Sequence, residues 1–273
     1  MASSKLLNWR LSLLALIVAA AVIFAASRSQ PFVQVDVGGH NLRVLKIGTG
    51  QPIVVFENGG SVTLETWGKV STAVSKFATI VTYDRASTGR SELGPNPRDA
   101  QRVVGELHSL LENIDSEPPY ILVGWSMGGL FARTFAGKYS DEVSALILID
   151  PALDDNTDDL VRWESSGKPE YEAIQATMAQ ARESIVPPSI PIYLIAAAGS
   201  EGNPYLARVN KESIEEYEQS LVEKLAAYSS WIAGQENAKL IVTRESGHAV
   251  LYEQPELIVS TIRDAIESGA KNR

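Results

Sequence analysis

Short apolar runs alternate with segments of helical periodicity along most of the chain. Residues 32–37 and 42–47 alternate apolar and polar side chains around a Gly-Gly-His-Asn turn, a pattern that predicts an antiparallel hairpin. After it, continuous apolar runs predict buried strands, and apolar residues spaced by three and four predict helices. The predicted strands are 53–56, 79–83, 120–125, 143–149, 190–197 and 240–243, and the predicted helices are 64–77, 98–114, 127–139 and 255–266.

This order of elements predicts an α/β fold. Strands that are apolar throughout must be covered on both faces, and strands that alternate with helices form a mostly parallel sheet. The hairpin adds an antiparallel edge. Residues 151–189 interrupt the alternation with acidic, helix-prone sequence, which we predict to form a small helical lid over the carboxyl ends of the strands, where ligands bind in such sheets. We expect residues 31–273 to form one domain.

The first thirty residues have a different pattern. Lys5 and Arg10 precede an apolar run over residues 11–26 that only Ser12 interrupts. A basic flank followed by such a run is typical of a signal peptide, and an uncleaved membrane anchor has the same pattern. Both alternatives leave the basic end in the cytoplasm. We therefore expect an extracytoplasmic domain, which is secreted, periplasmic or held at the membrane by residues 1–30.

Composition excludes several classes of function. The chain has 273 residues and no cysteine, which excludes a cysteine nucleophile, a thiolate metal site and disulfides. Its formal net charge of −9 argues against nucleic acid as a partner, because phosphates would be repelled. No pattern in the sequence implies a metal or an organic cofactor.

One motif carries candidate chemistry. Gly124-Trp125-Ser126-Met127-Gly128 stands between a predicted apolar strand and a predicted helix. A serine at such a junction lies on a sharp turn that lifts its hydroxyl above the sheet, and glycines beside it avoid collisions. The helix directs its free N–H groups and its dipole toward the serine. We therefore predict that Ser126 is a nucleophile and that the Met127 N–H binds an oxyanion.

A serine nucleophile needs a base, and the chain offers three histidines. His40 lies in the predicted hairpin turn, and His108 lies in the middle of a predicted helix, where a structural role is expected. His248 follows the last predicted strand, from which a loop can reach Ser126. We predict His248 as the general base.

The third catalytic group is a carboxylate that orients the imidazole. Asp150 ends a predicted strand, whose tip holds a side chain rigidly, and Glu201 follows the next predicted strand as an alternative acid. A turn-forming Asp-Pro pair is the structural alternative for Asp150. The second oxyanion donor is expected in the glycine pair after the first parallel strand, where we choose the N–H of Gly60.

These residues resemble the alpha/beta-hydrolase superfamily over residues 32–267. The resemblance rests on the serine turn, on stretches 83–91 and 247–255, and on the chain order of serine, acid and histidine. It implies an alpha/beta-hydrolase fold, a mostly parallel sheet with helices on both faces. The family's usual aspartate after the penultimate strand is absent from residues 196–199, and its usual His-Gly at the oxyanion loop is Asn58-Gly59 here. The acid would then lie one strand earlier, at Asp150, as in some haloalkane dehalogenases. Those enzymes carry an aspartate nucleophile, so Ser126 argues against dehalogenation.

The resemblance implies a serine hydrolase, which we expect to cleave a carboxylic ester or a related acyl substrate through an acyl-enzyme. Amide or peptide hydrolysis, carbon–carbon cleavage and perhydrolysis use the same kind of site, and a non-catalytic ligand-binding protein is a further alternative. The expected partner is a small acyl compound, with membrane contact through residues 1–30 if they remain attached. The sequence leaves the oligomeric state open.

Overall fold

The computed structural model describes residues 32–152, 167–199 and 214–271. The predicted signal or anchor segment, the alternative acid Glu201 and lid residues 153–166 lie outside these ranges. Within them, no helix combines the length and the apolar character that crossing a membrane requires.

The described strands form one sheet in the order β1-β2-β4-β3-β5-β6-β7-β8. β2 runs antiparallel to β4, whereas the pairs from β4 through β3 to β8 are parallel. This confirms the mostly parallel sheet with the N-terminal hairpin at one edge. The strands are β1 (Phe32–Asp36), β2 (Asn41–Ile47), β3 (Ile53–Glu57), β4 (Thr79–Tyr83), β5 (Tyr120–Trp125), β6 (Val143–Ile149), β7 (Ile192–Ala197) and β8 (Ala238–Thr243).

The helices differ from the prediction in three places, one of which is the short helix Val250–Glu253 before the last helix. The predicted helix 64–77 begins as the 3-10 turn Leu64–Trp67 and continues as an α-helix, and a long helix after β7 was not predicted. In chain order the helices are α1 (Gly68–Val74), α2 (Ala100–Asn113), α3 (Gly128–Lys138), α4 (Pro169–Glu172), α5 (Ile174–Glu183), α6 (Ile214–Ile232), α7 (Val250–Glu253) and α8 (Pro255–Lys271).

The core has two layers, one on each face of the sheet. Tyr120 and Leu122 of β5 pack on the face covered by α2 and α3, while Ile121 and Val123 pack on the face covered by α1 and α8. Because successive strand residues point to opposite faces, a strand buried on both sides has to be apolar throughout. This explains why the central strands are continuous apolar runs in the sequence.

The described end of the predicted lid forms α4 and α5. α5 packs against α2 and α3 and buries Ile174, Met178 and Ala181. α4 lies against the loop after β3, where the Ser61 N–H donates to Glu170. A lid over the strand ends stays a prediction, because residues 153–166 lie outside the described ranges.

Candidate active site

Ser126 lies on a tight turn between β5 and α3. Its backbone has φ +54°, a left-handed conformation that costs a non-glycine residue about 1–2 kcal/mol. Hydrogen bonds to the neighbouring chain hold it there: the Ser126 N–H donates to the Ile149 carbonyl at 3.1 Å, and the Ala152 N–H donates to the Ser126 carbonyl at 3.0 Å. Since these partners flank Asp150, the backbone of Ser126 is tied to the chain on both sides of the predicted acid.

The two glycines of the motif are steric requirements of this turn. A Cβ atom on Gly124 would lie 2.6 Å from the carbonyl oxygen of Gly128. A Cβ atom on Gly128 would lie 2.5 Å from the carbonyl oxygen of Asn58 and would also collide with the carbonyl of Glu57. Backbone atoms cannot move aside as a flexible side chain can, so only glycine lets β5, α3 and the loop after β3 approach so closely.

His248 lies beside Asp150. It follows β8, and its Nδ1 is 2.8 Å from Oδ2 of Asp150. Asp150 stands at the tip of β6, where its N–H donates to the Ile195 carbonyl at 2.7 Å, and its side chain is only 6% exposed. The structure thus places a buried carboxylate in hydrogen-bond contact with the imidazole.

The other oxygen of this carboxylate has partners of its own. Oδ1 of Asp150 accepts hydrogen bonds from the Ala197 N–H and from Lys224 Nζ, each at 3.0 Å, and Tyr228 Oη lies 3.5 Å away. Burial alone raises the pKa of Asp150, but the hydrogen bond to His248 and the positive charge of Lys224 outweigh it and lower the pKa to about 2. The group is therefore ionised at neutral pH.

Two contacts fix the loop that carries His248. The indole Nε1 of Trp125 donates to the His248 carbonyl at 2.9 Å, and the two rings lie 5.3 Å apart. Oε2 of Glu253 accepts from the Gly247 N–H at 2.9 Å and from the Ser246 hydroxyl at 2.8 Å. Because Trp125 directly precedes Ser126, the first contact joins the histidine loop to the serine turn.

The glycine loop after β3 faces the serine. A Cβ atom on Gly59 would lie 3.5 Å from the Cβ of Ser126, and the position of one on Gly60 is taken by the hydroxyl group of Tyr171. The N–H groups of Gly60 and Met127 meet no acceptor in the described part of the chain. The next N–H group of the loop, that of Ser61, instead donates to Glu170 at 3.0 Å.

A buried arginine holds this loop from behind. Arg85, which is 1% exposed, donates to the carbonyl of Asn58 at 2.7 Å and to that of Gly59 at 2.6 Å. It also pairs with Glu57 at 2.6 Å and with Glu170 of α4 at 2.7 Å. The guanidinium therefore binds both carbonyl groups of the loop and links the loop to two carboxylates.

The two carboxylates respond differently to the same arginine. Burial raises the pKa of Glu57, and the nearby charge of Arg85 only partly offsets this. Burial also acts to raise the pKa of Glu170, but the charge and hydrogen bonds of Arg85 outweigh it and lower that pKa. The shared cation therefore offsets the desolvation cost of Glu57 only in part and that of Glu170 more completely.

The remaining histidines contact groups outside this site. His40 Nε2 lies 3.3 Å from Glu106, and His108 stacks on Tyr139 with Nε2 3.0 Å from Glu142. No group of three or more potential metal ligands occurs within the described ranges.

Sequence reasoning placed neither Arg85 nor Lys224 at the site.

The fold and the serine turn define a class of protein, and comparison with known families agrees with it. Residues 54–261 match the model of the alpha/beta hydrolase family. The chain belongs to this family.

Individual relatives are distant. Uncharacterized protein YqjL of Bacillus subtilis (strain 168) is 24% identical over 226 residues, which cover 80% of this chain and 84% of that one. The (Lyso)-N-acylphosphatidylethanolamine lipase of Homo sapiens is 34% identical over 102 residues, which cover 36% of this chain and 29% of that one. Among solved structures, a thermophilic esterase from Thermogutta terrifontis has a TM-score of 0.62 at 19% identity, covering 87% of this chain and 98% of that chain. At this identity the structural likeness concerns the fold.

Proposed function

We propose that this protein is a serine hydrolase that cleaves a carboxylic ester or a related acyl compound through an acyl-enzyme. The observation that carries the proposal is the 2.8 Å contact between His248 Nδ1 and the buried Asp150 carboxylate, next to the serine turn. When Nδ1 donates to a carboxylate, Nε2 carries the free lone pair, which is the tautomer that a general base requires. Asp150 rather than Glu201 is the acid in this proposal.

In the first half of the reaction, His248 Nε2 takes the proton of Ser126 as Oγ attacks the acyl carbon. The carbonyl oxygen of the substrate becomes an oxyanion, which accepts hydrogen bonds from the N–H groups of Met127 and Gly60. The bond to the leaving alcohol then breaks, and His248 gives that alcohol the proton. Asp150 stabilises the imidazolium throughout.

In the second half, water replaces the alcohol. His248 takes a proton from the water molecule as its oxygen attacks the acyl-enzyme, and the same oxyanion donors hold the intermediate. The bond between the acyl carbon and Ser126 Oγ breaks, and the proton returns from His248 to Ser126. The products are the free acid and the regenerated serine.

One of the comparisons supports an ester as the bond that is cleaved. The human relative is named a lipase. No feature of the described residues favours amide hydrolysis, carbon–carbon cleavage or perhydrolysis over ester cleavage. The acyl substrate is therefore the basis of the test.

A fluorophosphonate probe, which reacts with an activated serine, tests the proposal on the full chain. We expect labelling of the wild type and none of Ser126→Ala, while the matched control Ser260→Ala, at an exposed helical serine, labels like the wild type. Turnover of p-nitrophenyl esters should fall by about 10⁴-fold or more in Ser126→Ala. A wild type that neither labels nor turns over esters would contradict the proposal and leave a non-catalytic ligand-binding protein as the alternative.

We also propose, from residues 1–30, that the catalytic domain acts outside the cytoplasm. The support is the basic flank of Lys5 and Arg10 followed by the apolar run. Cell fractionation combined with N-terminal sequencing of the mature protein tests it. Recovery of the protein in the soluble cytoplasmic fraction, with its N-terminus uncleaved, would contradict this proposal.

A further inference from the structure

The predicted acid has a second charged partner besides the histidine. Lys224 of α6 places Nζ 3.0 Å from Oδ1 of Asp150 and 2.6 Å from the carbonyl of Ala197 at the end of β7. Its side chain is 26% exposed, so the ammonium group is partly withdrawn from water. A helix outside the sheet therefore reaches the carboxylate at the tip of β6.

Because of this contact, the two oxygens of the Asp150 carboxylate have different partners. Oδ1 is held by Lys224 Nζ and by the Ala197 N–H, both at 3.0 Å, and Oδ2 faces His248 Nδ1 at 2.8 Å. Rotation of the carboxylate would break all three bonds together. The ammonium group thus lies at the end of β7, where residues 196–199 lack the aspartate that is usual in the family.

The charge of Lys224 also acts on the pair. Within the described ranges, the other titratable groups near the pair are Tyr228, Tyr217, whose hydroxyl donates to the Gly199 carbonyl at 2.8 Å, and Glu253 behind the histidine loop. None of these three side chains is a cation. Lys224 is therefore the cation that opposes protonation of the imidazole, among the groups that the structure describes here.

We propose that Lys224 is a positioning residue for the catalytic acid: its ammonium group holds Oδ1 of Asp150 against the end of β7 and thereby keeps Oδ2 on His248. The assignment rests on the proposed function of Ser126, His248 and Asp150. Its second consequence is electrostatic. The positive charge of Lys224 opposes a second positive charge on the neighbouring imidazole, so its removal should favour the protonated ring.

The experiment measures, as a function of pH, the rate at which a fluorophosphonate labels Ser126 in the full chain. Lys224→Met removes the charge but keeps the aliphatic stem, and we expect the acid-side midpoint of the profile to rise by about half to one pH unit, the effect of one partly screened neighbouring charge. Lys224→Arg should restore most of the difference. Lys76→Met, which removes an exposed lysine from the turn after α1, should leave the midpoint unchanged.

An NMR titration of the His248 ring provides a readout that needs no serine reactivity, and His248→Gln assigns its signal among three histidines. The midpoint of this titration should rise in Lys224→Met by the same amount. If Lys224→Met lowers the rate or the thermal stability while both midpoints stay in place, Lys224 is only structural and the assignment fails. If the wild type is not labelled at all, the proposed function fails, whatever the NMR midpoints do.

Discussion

Replacing Arg85 by Met tests whether the glycine loop and α4 are held together by a buried charge. Met fills much of the volume of the arginine stem but carries neither the charge nor the donors. The substitution leaves Glu57 and Glu170, which are 2% and 3% exposed, without their shared cation. It also removes the donors to the carbonyls of Asn58 and Gly59.

The expected cost follows from these contacts. Breaking a buried ion pair by removing one partner costs about 3–5 kcal/mol, and here two carboxylates lose their cation, so we expect the upper part of this range. For a chain of this length that lowers the melting temperature by roughly 10 °C or more. The loss depends on pH. In the variant both buried carboxylates have folded pKa values above their unfolded values, so the stability is present below about pH 4 and is lost as pH rises through the folded pKa values.

The assay is urea unfolding at pH 5 and at pH 8, with ester turnover measured at the same two pH values. Arg90→Met is the matched control, because Arg90 is an exposed arginine of the same loop, and we expect it to change stability by less than about 0.5 kcal/mol. Arg85→Met should be less destabilised at pH 5 than at pH 8. Equal stabilities of the two variants, with no dependence on pH, would refute the structural role given to Arg85.

Three further predictions concern the acid and the serine turn. Asp150→Asn should lower ester turnover by about 10⁴-fold while Glu201→Gln stays near the wild type, and the reverse result would move the acid to Glu201. Gly128→Ala should cost at least about 2 kcal/mol in urea unfolding, because its Cβ meets backbone atoms, whereas Gly105→Ala, in open space on α2, should stabilise by about 0.5–1 kcal/mol. In the folded protein the pKa of Asp150 is lowered to about 2, so the ionised carboxylate stabilises the folded state above pH 4. Stability of about 2 kcal/mol should therefore be lost between pH 4 and pH 2, and acid titration of Asp150→Asn should show a smaller loss.

The strands at the centre of the sheet are the part of the fold that sequence predicts best. The predicted ranges 79–83, 120–125 and 143–149 coincide with β4, β5 and β6. Burial on both faces makes such strands apolar at every position, and this signal does not depend on any distant residue. The serine turn is predictable because its motif is contiguous, although only Gly124 is required by a contact within the motif, and Gly128 is required by contacts with the loop after β3.

α6 had a weaker signal, and we did not predict it. It presents Tyr217, Leu221 and Tyr228 at helical spacing, but charged residues such as Glu218 and Glu223 separate them. Periodicity alone also predicted one helix over 64–77, where a 3-10 turn precedes α1. Lys224 lies on α6. Because the helix was not predicted, the contact between Lys224 and Asp150 could not be predicted either.

Buried charge pairs are the part of the site that the sequence does not show. Glu170 pairs with Arg85 across 85 positions of the chain, and Lys224 pairs with Asp150 across 74. A charged residue in a sequence is most often solvated, so nothing local marks these four as buried partners. Arg85 was noticed only within the Tyr-Asp-Arg stretch that resembles the family.

Two cations support opposite sides of the proposed reaction centre, and their burial predicts different phenotypes. Arg85 lies behind the glycine loop that follows β3 and is 1% exposed, so its loss leaves buried charges and shows mainly in stability. Lys224 lies behind the acid and is 26% exposed, so water can replace its ammonium group at little cost to folding. Its loss should show instead in the pH dependence of serine reactivity. Lys224→Met should therefore shift the acid-side midpoint of serine labelling with little loss of stability. Arg85→Met should lower the stability and leave that midpoint largely unchanged.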